Sequence, residues 1–167
     1  MQRFFMEKKG MLNGKKILIV DDEPDVLETL EELLSMCDLA KAASFEEAKL
    51  LLETQFFDMA ILDIMGVDGY ALLEIANTKD VTSVMLTANA LSSDNIVKSH
   101  KKGAAFFVPK PDMIDIVSYL NDILEAKEMD KSTWWRWYDR LGANCEKRFG
   151  PDWQKDDKDF WTKFTYI

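Results

Sequence analysis

Three acids in a row, Asp21, Asp22 and Glu23, stand directly behind an apolar run at residues 17–20. Neighbouring carboxylates repel one another, so a fold that keeps them together needs positive charge beside them: a cation or a basic partner surface. Further chemistry-bearing residues close the later apolar runs. Asp63 follows residues 57–62, Thr87 follows 81–86, and Lys110 follows 104–108 by one proline.

The segments between these residues alternate between strand and helix patterns. Residues 17–20 form an unbroken apolar run, as in a strand buried on both faces of a parallel sheet. Over 24–36, Val26, Leu27, Leu30, Leu33 and Leu34 recur at helical spacing, with Pro24 suited to the first turn and Glu23 assigned to the cap. Residues 39–43 read as a weak strand. Ser44 with Glu47 three residues on predicts a capping box opening a helix to Leu52. Strands follow at 57–62, 81–86 and 104–108. Helices are expected at 68–77, from Ser92 or Ser93 to Lys102 with Gly103 as its stop, and over 112–129. Five strand–helix units in succession predict an α/β fold, a doubly wound parallel sheet of (βα)5 type. Such sheets bind ligands at the carboxyl ends of their strands, so Asp21, Asp22, Asp63, Thr87 and Lys110 should converge there.

On these residues the chain resembles the receiver domain of two-component response regulators. The resemblance rests on the acidic pair after the first strand, Asp63 in "AILDIM" with "DGY" shortly after, Thr87 and Ala88 in "MLTANA", and Lys110 in "KKGAAFFVPKP". It covers about residues 15–128 and implies a flavodoxin-like receiver, of the chemotaxis-type stand-alone kind, carrying a Trp-rich extension. It implies that Asp63 accepts a phosphoryl group from a phosphohistidine, as a carboxylate nucleophile forming an acyl phosphate. Mg²⁺ would be the cofactor, held by Asp22 and Asp63, by Asp21 through water, and by the main-chain carbonyl of Met65. Lys110 would pair with Asp63 at rest and with a phosphoryl oxygen afterwards. Thr87 would donate its hydroxyl to another phosphoryl oxygen, and Phe107 would be the aromatic that turns inward when Thr87 moves. The partners implied are a histidine kinase or phosphotransfer protein and a downstream protein. The function implied is a phosphorylation-dependent signalling switch; the alternative is a pseudo-receiver, a phosphorylation-independent scaffold that binds through its tail. One departure stands out. "DIMGVDGY" is about two residues shorter than receivers usually are between the phosphorylated Asp and the "DG", so the loop after Asp63 should be tight.

The rest of the sequence narrows the function classes. The chain has 167 residues, 47% hydrophobic and 31% charged, and no apolar run long enough to span a bilayer. Its start carries no secretory signal, and a cytoplasmic location is expected. Cys37 and Cys145 lack metal-like spacing and are expected to be free thiols; a single His100 argues against histidine catalysis. Net charge is −9, distributed as +4 over residues 1–20, −14 over 21–129 and +1 over 130–167. An acidic domain suits a cation or basic partner and not a nucleic acid. Phosphatases that form an aspartyl phosphate want a second Asp two residues after the nucleophile; Met65 stands there, so the chain is not expected to be an enzyme beyond slow self-dephosphorylation.

Three regions are therefore expected: an arm over 1–14, the receiver over 15–129, and an aromatic-rich helical extension over 130–167. The extension holds all five tryptophans. Trp134, Trp137 or Tyr138, Leu141, Cys145 and Phe149 form an apolar stripe at helical spacing, with Ser132 as cap. Gly150–Pro151 should end that helix, and 156–164 should form a short last one. The stripe either packs on its own receiver or makes a dimer or partner-docking surface. A membrane-surface role is not expected, because both charge signs lie on its polar face.

Overall fold

The computed structural model describes residues 10–88 and 93–149, with side chains, that of Ser93 excepted, as far as Leu141. The strands are β1 (Lys16–Val20), β2 (Asp38–Ala42), β3 (Met59–Asp63), β4 (Thr82–Thr87) and β5 (Phe106–Pro109). The helices are α1 (Pro24–Leu33), α2 (Phe45–Thr54), α3 (Gly69–Thr78), α4 (Ser93–Lys101), α5 (Ile116–Glu128) and α6 (Thr133–Phe149), with a 3₁₀ turn, Lys110–Asp115, leading into α5. All strands are parallel, in the order β2-β1-β3-β4-β5. The chain order reverses between β1 and β3, which places the switch point, where such sheets bind ligands, at the ends of those two strands.

The central strands follow from their composition. Ile17 to Val20 and Met59 to Leu62 are almost fully buried, because helices cover both faces of the sheet. The weak second strand is an edge strand, mostly half-exposed, which explains its faint signal. Ser44 Oγ accepts the Glu47 main-chain N–H at 3.2 Å and starts α2 as expected. Pro24 opens α1 in its first turn, and Gly103, at φ +92°, ends α4 in the left-handed conformation that glycine adopts without strain.

Some boundaries shift. The helix expected to run to Met36 ends at Leu33, and Met36 lies exposed in the turn beyond. The last receiver helix begins as a 3₁₀ turn, since Pro111 has no N–H to give to an α-helical ladder. The expected arm is described from Gly10 on. The Ser92 or Ser93 cap, Cys145 and Phe149 in the stripe, and the helix at 156–164 lie outside the described residues or side chains. No described helix is long and apolar enough to cross a membrane.

α6 lies against β5, the second edge of the sheet, and against α5. Ser132 Oγ accepts the Trp134 main-chain N–H at its start. Trp134, Trp137 and Leu141 are buried, whereas Tyr138 is 36% exposed, so Trp137 carries the stripe. Both indole N–H groups donate to main-chain carbonyls: Trp134 Nε1 to Ala104 at 2.7 Å, and Trp137 Nε1 to Phe107 at 2.8 Å. Buried Trp rings need such partners. Arg140 pairs with buried Asp122 of α5, and Arg136 with Glu125 at 3.0 Å. His100 of α4 meets the Trp134 ring edge-on at 5.0 Å.

Candidate functional site

At the carboxyl edge of the sheet, register sets the positions. Val20 pairs with Leu62, Asp63 with Leu86, and Thr87 with Pro109, so Asp21, Asp63, Thr87 and Lys110 emerge together. Asp21, Asp63, Thr87 and Lys110 are nearly buried, and Asp22 is exposed at the rim.

Lys110 organises the cluster. Its Nζ lies 2.9 Å from Asp21 Oδ2, 2.9 Å from Glu23 Oε1 and 3.6 Å from Asp63 Oδ1. The Asp21 approach is a close ion pair and not an aligned hydrogen bond, whereas Glu23 accepts a hydrogen bond. Asp21 Oδ1 accepts the Glu23 main-chain N–H at 2.9 Å. Burial by itself would lower the Lys110 pKa, but its close contacts with Asp21 and Glu23 and the charges of Asp21 and Asp63 hold it well above the ordinary lysine range. Burial pushes the Asp21 carboxyl up, against the pull of the Glu23 N–H and Lys110. Burial also pushes Asp63 up, against Lys110 and the Gly66 N–H, with the Asp22 charge adding to the rise.

The loop after Asp63 is tight, as its short sequence implies. Gly69 N donates to Ile64 O at 3.0 Å, and Asp68 closes the turn at φ +53°. Gly66 N donates to Asp63 Oδ2 at 3.1 Å. A Cβ on Gly66 would fall 2.3 Å from Asp22 Oδ1, and one on Gly69 would fall 2.2 Å from the Asp63 carbonyl oxygen. Glycine at both positions lets the loop pass this close to the acids. The Met65 side chain is 75% exposed beside them. Phe107 is fully buried, with its carbonyl held by Trp137.

Glu23 departs from expectation. It occupies the N-cap position of α1, yet its side chain makes no capping bond and reaches Lys110 instead. Among the described residues, the acids whose carboxylate oxygens gather within 4.8 Å are Asp21, Asp22 and Glu23. The overlooked signal was parity. Asp21 and Glu23 are two apart, and Glu23 is extended at φ −93°, ψ 114°, a conformation that sends alternate side chains the same way.

Comparison with known proteins agrees with this geometry. The family model "Response regulator receiver domain" matches residues 17–121. The two-component response regulator ARR18 of Arabidopsis thaliana is 35% identical over 104 residues, covering 59% of this chain and 16% of the relative. The probable transcriptional regulator ycf27 of Guillardia theta is 40% identical over 102 residues, covering 58% of this chain and 40% of the relative. The chain thus spans less than half the length of either. A CheY-like receiver domain protein from Methanospirillum hungatei superposes with a TM-score of 0.63 at 29% identity, covering 71% of this chain and 99% of that one. A five-stranded parallel sheet of this order, with acids and a lysine at its carboxyl edge and a receiver model matched along residues 17–121, leaves one conclusion: the chain belongs to the response regulator receiver domain family.

Proposed function

We propose that the chain is a phosphorylation-controlled signalling switch whose phosphoacceptor is Asp63. The observation that carries this reading is the setting of Asp63: nearly buried, with one carboxylate oxygen on the Gly66 N–H and the other facing the Lys110 ammonium. A carboxylate oxygen of Asp63 attacks the phosphorus of a phosphohistidine on a kinase or phosphotransfer protein. The new O–P bond forms as the P–N bond breaks, and the imidazole leaves with the electron pair and takes up a proton. Lys110 turns to a phosphoryl oxygen, and the Thr87 hydroxyl donates to another.

Hard oxygen donors suited to a divalent cation stand at this edge: Asp21, Asp22 and Glu23 offer oxygens within 4.8 Å of one another, and the Asp22 side chain and Asp63 both border Gly66. Asp22, Asp63, Asp21 through water and the Met65 carbonyl would hold Mg²⁺, which would screen the charge of the transferred group. The reading places the chain in the cytoplasm and gives it no turnover beyond slow self-dephosphorylation. A scaffold that binds through its tail would have to use residues other than Trp134, Trp137 and Leu141, which are buried in the chain's own fold.

The test is intact mass after incubation with acetyl phosphate and Mg²⁺. The wild-type chain should gain one phosphoryl group, and Asp63→Asn should gain none. Equal labelling of the two would remove Asp63 from its role.

A further inference from the structure

We infer that Glu23 is a positioning residue that clasps the Lys110 ammonium and thereby slows phosphoryl arrival at Asp63. The inference rests on the reading of Asp63 as phosphoacceptor. Its basis is a closed circuit of contacts: the Glu23 N–H donates to Asp21 Oδ1 at 2.9 Å, Asp21 Oδ2 pairs with Lys110 Nζ at 2.9 Å, and Lys110 Nζ donates to Glu23 Oε1 at 2.9 Å. Asp63 Oδ1, at 3.6 Å, stands just outside hydrogen-bond reach of the same ammonium. The amine is thus held toward the first strand's acids and away from the acceptor.

Lys110 keeps an N–H to spare, but with Asp63 Oδ1 at 3.6 Å its Nζ must move toward the acceptor to serve a phosphoryl oxygen there, and that movement stretches one of its present contacts. Asp21 is fully buried at the end of β1 and braced by a main-chain N–H. The Glu23 side chain is 56% exposed, on a flexible stem that caps no helix N–H. It is therefore the contact that opens. Loosening a half-exposed Lys–Glu pair is a modest barrier, worth about threefold in rate. Among the described residues the Glu23 side chain bonds to Lys110 alone, so its substitution should leave the fold intact.

The experiment compares wild type, Glu23→Gln and Glu23→Asp. Phosphoryl gain from acetyl phosphate with Mg²⁺ is timed by intact mass, and the Lys110 ¹³Cε resonance is followed in ¹³C-lysine protein without donor, assigned with Lys110→Arg. Asp keeps the charge but is one methylene too short to reach. If Glu23 acts as a clasp, both variants gain the phosphoryl group about threefold faster and both shift the Lys110 resonance. If only Gln is faster, Glu23 acts by its charge at a distance and the clasp is wrong. Unchanged rates, or an unmoved Lys110 resonance in both variants, overturn it as well. A wild-type chain that gains no phosphoryl group sinks the phosphoacceptor reading and the rate effect with it, while the resonance still decides whether the clasp exists.

Discussion

The carboxyl end of β5 and its outer flank are built on opposite principles. At the end, Lys110 is surrounded by Asp21, Glu23 and Asp63, and burial raises both aspartate pKa values despite that lysine. More negative charge is gathered there than one ammonium neutralises. Along the flank, α6 brings matched groups: the Trp134 and Trp137 indole N–H groups each have a carbonyl, and Asp122 has Arg140. The first region holds charge in tension, and the second supplies stability to the same strand. Functional sites commonly lower stability in this way while packing elsewhere offsets it. The strand joins the two directly, since the Phe107 carbonyl that accepts the Trp137 indole lies three residues before Lys110.

The contrast can be broken from either side. Trp137→Ala removes a fully buried ring and its hydrogen bond, and should cost about 3–5 kcal/mol in urea unfolding. An unchanged midpoint would mean that α6 is an accessory and not part of the core. Arg140→Leu leaves the Asp122 carboxylate buried without its partner; because Arg140 is half-exposed, the loss should be about 1–3 kcal/mol, below that of a fully buried pair. Asp63→Asn should go the other way, raising stability of the metal-free chain by about 0.5–2 kcal/mol while abolishing phosphoryl gain. A destabilised Asn variant would show that Asp63 is held by net attraction. The pH dependence sharpens this last point. Asp63 is raised in the folded state, so the folded chain binds more protons than the unfolded one between the ordinary carboxylate value and the raised one. Its ionisation cost is therefore present above the raised pKa and relieved as pH falls through it. The advantage of Asp63→Asn over wild type should shrink on acidification, as read from paired unfolding curves.

Much of this was legible along the chain. β1 and β3 were plain because strands covered on both faces carry uninterrupted apolar runs, and the residues behind them were plain because parallel sheets align their ends. The tight loop after Asp63 was foreshadowed by its missing residues, and the α6 stripe by its period. Glu23 was misassigned because N-cap position and strand parity compete at that residue, and local rules favour the cap. Trp137 and Tyr138 were equally compatible with helical spacing; the carbonyl of Phe107, 30 residues away, made the choice.

The sequence by itself determined the alternation of strands and helices, the parallel sheet and the set of acids, hydroxyl and lysine at its edge, because periodicity and strand ends are local properties. Only the tertiary structure decided which carboxylates share Lys110 and which surface α6 covers. Those outcomes depend on distances between residues as far apart as Glu23 and Lys110, where burial and charge from several elements act on one atom at once.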